Sequence, residues 1–284
     1  MRALTAVMMA VVLFLPVTVQ MARAETAVAD RAAVADLSRA LRMAEAMVLL
    51  REEGIANGKD LAADLPGGPQ DELWSSALDR IYDPARMEAL FNEGLAKALS
   101  DNPQAITAAT TFFTADLGHR ALGLELAARE AMMDEVVEAT AAEAYAALAT
   151  KDPARQALID RFVEANDLVE SNVMGALNAN LAFLRGMAEA GGAAFAMPEA
   201  DMLAQVWGAE PDTRAEMVGW LFPFLTLAYQ PLSDDELEAY VAFSETPEGH
   251  QLNAAMFQAF DVVFEKISRD LGRAFAQSLQ GDNI

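Results

Sequence analysis

PLSDDELEAYVAFSETPEGHQLNAAMFQAFDVVFEKI, residues 231–267, reads as a short helix, a tight turn and a long helix. Ser233 precedes an apolar-periodic run and Glu236 follows three residues later, the spacing of a capping box. Asp234, Asp235 and Glu236 place negative charge on the positive end of the helix dipole. Leu237, Tyr240 and Val241 then recur at helical spacing. Thr246 can cap the next helix, and Pro247 suits its first position, where a missing N–H costs nothing. Leu252, Met256, Ala259, Phe260, Val263, Ile267, Leu271 and Phe275 follow in steps of three and four, a stripe that needs a core to cover it.

A shift of 131 residues brings the same grammar back upstream, in NPQAITAATTFFTADLGHRALGLELAAREAMMDEVV, residues 102–137. Phe112 falls on Phe243, Gly118 on Gly249, His119 on His250 and Asn102 on Ser233. Further upstream the likeness is looser. YDPARMEALFNEGLAKALSDNP faces EPDTRAEMVGWLFPFLTLAYQPLSD with about two residues of slippage, and DLSRALRMAEAMVLL faces DLVESNVMGALNANL. Agreement of order, spacing and caps leads us to expect an internal duplication. Its halves would be 25–150 and 151–284. Each alone would leave an apolar side exposed, so the two are expected to share one core.

The acidic helix start followed by AFSETPEGHQL resembles the "F-x-x-[ST]-P-x-G-[QH]" pattern of the bacterial domain of unknown function 2059 family (DUF2059). The close match covers about 40 residues within 230–275, by direct reading of the motif. YDPARMEALFNEGL and GHRALGLELAAREAMMD also resemble the upstream part of proteins carrying that domain. The resemblance implies an exported helical protein. It carries over no catalytic residue.

Met1 to Ala24 reads as a secretory signal peptide: Arg2 at the start, an apolar run from Ala6 to Val19, and Ala22-Arg23-Ala24 as the cleavage site. The mature chain is expected to start near Glu25, in the periplasm or outside the cell. An uncleaved anchor is the alternative. No later stretch reaches the ~18 apolar residues of a membrane helix. The net charge of −23, which becomes −25 without Arg2 and Arg23, argues against nucleic acid and anionic membrane surfaces. The chain has no cysteine, so burial alone must hold the core.

Ala, Leu, Glu and Met dominate and no β pattern is found, which gives an all-α fold of about ten helices packed as hairpins. One long helix is expected from Glu25 to about Asn57, weakened by Gly54 and Gly58, and Asp64 to Pro69 is a clear break. Helices follow at about Gln70–Ile81, after Asp83-Pro84, and after Asn102-Pro103. One long helix after Gly118 should reach about Ala149, and another, after Asp152-Pro153, about Ala190. Shorter helices are expected at Met202–Trp207 and Pro211–Ala228, the latter kinked by Pro223.

Candidate chemistry is sparse. His119 and His250, the only histidines, fall at matching places, but a zinc site needs three or four ligands. We expect both to be exposed polar residues at helix starts, and we expect no metal or cofactor. Glu125 and Arg129 are four apart in an otherwise apolar run and could pair on one face. With His119 or His250 they are the residues of an enzymatic alternative. There is no H-E-x-x-H, no G-x-S-x-G and no glycine-rich phosphate loop. Trp207, Met217, Trp220, Phe222, Phe224 and Tyr229 form the densest aromatic and Met region, around Pro223. Core packing is the plain reading. The functional one is a groove for an apolar ligand or an exported protein partner. On this basis the sequence points to a non-catalytic binding or interaction protein, with a carboxylate–histidine enzyme and a structural envelope protein as alternatives.

Overall fold

A computed structural model describes residues 31–63, 72–192 and 195–279. Among these residues the fold is all-α, with no strand. The leader at Met1–Ala24 and the break at Asp64–Pro69 lie outside them. The helices are α1 (31–40), α2 (Met43–Ala63), α3 (Glu72–Ile81), α4 (Pro84–Ala98), α5 (Pro103–Thr114), α6 (Asp116–Ala131), α7 (Glu135–Lys151) and α8 (Pro153–Ala165). There follow α9 (Leu168–Ala190), α10 (Glu199–Gly208), α11 (Glu210–Tyr229), α12 (Asp234–Ser244) and α13 (Pro247–Leu279). No helix among the described residues is long and apolar enough to cross a membrane.

Helix starts follow the capping chemistry. The Ser233–Glu236 capping box forms in full, and the Asp83 and Asp152 carboxylates accept the amides of Arg86 and Arg155. The Gly249 amide donates to the Thr246 hydroxyl. Asn102 occupies the cap position of α5 but makes no side-chain cap bond.

Three helices expected to be continuous are broken. Arg42, at φ 57°, separates α1 from α2, and Asp167, at φ 47°, separates α8 from α9. Each left-handed residue turns the chain without Gly or Pro. The third break lies at Met132–Asp134, where the Asp134 carboxylate accepts the Val136 amide and starts α7 anew. Pro223 leaves α11 one helix. The Gly219 carbonyl loses its amide partner there, but Gly219 is exposed, so water can satisfy it. Gly54 and Gly58 do not end α2. A Cβ on Gly54 would overlap the Tyr82 ring and one on Gly58 would overlap Leu78, so both are contact points. The Trp74 indole donates to the Gly58 carbonyl at 3.1 Å.

The spine is α13, which packs on α9, α4, α5 and α3. Its crossing with α9 is close because Gly186 and Gly272 let the backbones meet. A Cβ on Gly186 would overlap the Arg269 carbonyl, and one on Gly272 the Phe183 carbonyl. One core joins both halves: Leu37, Met47, Phe91 and Leu95 share it with Ile159, Tyr229, Val241 and Val263. A small satellite of Val173, Leu177 and Val206 lies between α9 and α10. Phe112 and Phe243, the pair related by the 131-residue shift, stack face to face at 4.1 Å and 6°. The glycines that follow sit alike, Gly118 against the Phe112 carbonyl and Gly249 against that of Phe243.

Candidate functional site

Glu125 lies on α6 with apolar neighbours on its own helix, yet its carboxylate is not left alone. The Tyr229 hydroxyl from α11 donates to its Oε1 at 2.9 Å, and the Tyr240 hydroxyl from α12 donates to the same oxygen at 3.1 Å. Phe162 of α8 packs on both tyrosine rings, at 5.2 and 4.9 Å. Glu125 keeps part of its surface, but its carboxyl group is enclosed enough for burial to push its pKa up to about 7, against the opposing pull of the two hydroxyl bonds. Burial, then the facing carboxylate, pushes both tyrosines well above the ordinary range.

The expected Glu125–Arg129 pair does not form. Arg129 turns to α2 and forks onto Glu53 with two bonds of 2.7 Å, its guanidinium over the Trp220 ring. His119 and His250 are exposed in the first turns of α6 and α13. The four residues of the enzymatic alternative therefore do not gather in one cleft. Among the described residues no group of three or more His, Asp or Glu could hold a metal ion.

Nor do the six aromatic and Met candidates line one groove. Trp220 and Phe224 stack at 4.8 Å, whereas Phe222 stacks on Tyr145 of α7 at 5.2 Å. Tyr229 is buried, and Met217 packs against both clusters of core residues. Trp207, on α10, is 54% exposed. Of the five on α11, Met217, Trp220 and Phe224 recur in steps of three and four along one face, whereas Phe222 and Tyr229 fall on the opposite one.

A cleft does exist one helix away. It holds about 530 Å³ between α7, α8, the end of α11 and the turn into α12. Val136, Val137, Ala141, Ala144 and Leu148 of α7 form one wall, and Ile159, Leu227 and Leu232 face them. Its polar end is built around Arg155. That side chain is only 10% exposed; its Nη1 donates to Asp234 at 2.9 Å and its Nη2 donates to the Tyr229 carbonyl. Tyr229 thus meets the cleft through its carbonyl and Glu125 through its hydroxyl. The residues that build this end escape a sequence reading. Asp152 and Asp234 look like ordinary helix-start acids. The one signal is Arg155 itself, a cation in the first turn of a helix, where the dipole disfavours it.

Compared with known proteins, the chain matches no family model, no curated protein and no solved structure.

Proposed function

We propose that this protein is a binding protein whose ligand is an apolar chain lying along α7. The carrying observation is the cleft of about 530 Å³, in the size range of small-molecule sites, with mainly aliphatic walls, interrupted by Thr140 and Thr226, and its charged groups gathered at one end. Its rim stays apolar: Val136, which lines it, is 73% exposed. A wall made of alanines and valines leaves room that larger side chains would fill. The proposal keeps the apolar-ligand expectation and moves it away from Trp220 and Phe224.

The test is native mass spectrometry of the purified protein for a retained apolar species, together with titration by dodecanol. Ala144→Trp should fill the cleft. The retained species and dodecanol binding are then expected to disappear while the variant still melts cooperatively, without the stabilisation that a bound ligand gives. Equal retention in the folded variant would count against the cleft.

The leader reading of Met1–Ala24 makes an exported location part of the same proposal. We also infer that the two halves arose by duplication. The packing that supports this repeats in kind: α2 on α4 and α9 on α11, α2 on α3 and α9 on α10, α4 on α13 and α6 on α11.

A further inference from the structure

Resting on the cleft reading above, we propose that the ligand is a single-chain aliphatic carboxylate, its head held by Arg155 in place of Asp234 and its chain lying along α7. The first argument is shape. The α7 wall runs from Val136 to Leu148, twelve residue steps or about 18 Å of helix. Asp152, Arg155, Gln230 and Asp234 are together at the end where α8 and α12 begin, and Val136 and Val137 are at the other. Two hydroxyls interrupt the walls, Thr140 and Thr226, and each is spent on a carbonyl of its own helix. Long walls with their charged groups at one end fit one extended chain with one head.

The second argument is which half of the Arg155–Asp234 pair can leave. Arg155 is fixed: its amide is bound to the Asp152 cap and its Nη2 to the Tyr229 carbonyl, and its side chain is 10% exposed. Asp234 is 58% exposed and holds one guanidinium nitrogen. A buried guanidinium requires a carboxylate partner, whereas an exposed carboxylate loses little on returning to water. Exchange of Asp234 for a ligand carboxylate keeps the buried cation paired and lets the chain cover apolar walls. The N-terminal ends of α8 and α12 both open here and favour negative charge. An ammonium head could pair with Asp234 only by taking it from Arg155. Of the carboxylates near this end, Asp152 and Glu236 are engaged with the Arg155 and Ser233 amides and Asp234 is the one displaced. The rest of the net charge of −23 is screened by salt beyond ~8 Å.

The experiment uses the full chain stripped of retained ligand. Dodecanoate, dodecanol and dodecylammonium are titrated below their micelle concentrations into the wild type and into Asp234→Asn. The substitution leaves the Ser233–Glu236 capping box untouched. Dodecanoate should bind about tenfold more tightly than dodecanol, with dodecylammonium weakest, the difference expected of a charge-assisted head contact. Asp234→Asn should tighten dodecanoate severalfold and leave dodecanol unchanged, because it removes the competing carboxylate. Equal binding of all three, a preference for dodecylammonium, or no gain for dodecanoate in Asp234→Asn overturns the head assignment with the cleft intact. No binding by any of the three sinks the cleft reading itself.

Discussion

Replacing Glu125 with Gln should change the pH dependence of stability in a specific way. The carboxyl pKa rises from 4.5 to about 7 on folding, chiefly through burial. A raised acid pKa means the folded state holds its proton more tightly than the unfolded chain does. The stabilisation from that proton is complete below 4.5, falls as pH rises, and is gone above about 7. At about 1.4 kcal/mol for each tenfold change in proton affinity, the loss across this window is up to about 3 kcal/mol. Water at the partly exposed side chain reduces it. Glutamine imitates the protonated form, since its carbonyl can still accept both tyrosine hydroxyls. Urea unfolding of both proteins from pH 4 to 8.5 measures the difference directly. The stability of Glu125→Gln relative to wild type should climb between pH 4.5 and 7 and level off above that. Subtraction cancels the titration of Asp160 and Asp261, also raised by burial, and of the Arg-paired carboxylates that are lowered. Parallel curves for the two proteins would refute the reasoning.

Two glycine substitutions should separate close packing from open helix surface. Gly186→Ala forces a methyl group into the Arg269 carbonyl, and its cost in urea unfolding should be about 1–3 kcal/mol, the range for overpacking. Gly208→Ala meets open space at the end of α10 and should be neutral or stabilising by a few tenths of a kcal/mol. N-terminal sequencing of protein recovered from its native host should begin near Glu25. A chain that keeps Met1 would remove the cleaved leader from the proposal and leave the uncleaved anchor.

Helix starts were legible in the sequence because their chemistry is local. Asp83-Pro84, Asp152-Pro153, Ser233 and Thr246-Pro247 each carry cap and first turn within a few residues, and α4, α8, α12 and α13 begin there. The breaks at Arg42 and Asp167 were not legible. A left-handed arginine has no sequence signature, and Asp167 tolerates that conformation without announcing it. Gly54 and Gly58 look like helix breakers until the Tyr82 ring and Leu78 are seen against them. At the polar site, the sequence singled out Glu125 but suggested the wrong partner. The rule for residues four apart favours Arg129, whereas the real partners, Tyr229 and Tyr240, lie 104 and 115 positions away. No local rule reaches that far.

On the duplication inferred above, the site is where the halves differ. The 131-residue shift carries Glu125 to Met256, and carries Tyr229 and Tyr240 back to Ala98 and Ala109. Ala109 is fully buried, and Met256 and Ala98 pack against the core, so the repeated packing is satisfied by apolar side chains. On that inference, the polar network is an addition that the packing does not require. The same shift places the break at Met132–Asp134 on Val263–Glu265, in the middle of α13. There the helix runs on; the Glu265 side chain is one methylene longer than that of Asp134 and caps poorly. In the first half Asp134 stops the helix and starts another, so the stretch that would extend α6 turns away as α7 and lies against α11 and α8. On the same inference, this departure from the repeat is what places α7 as a wall of the cleft. It also explains why α7 buries so little: of its residues only Ala141 is fully covered, and among the described residues Tyr145 on Phe222 is its one aromatic contact. A helix that served packing alone would carry larger apolar side chains on its inner face than alanines and valines. The alanines and valines of α7 instead leave the space open, and an occupant would supply the missing contact.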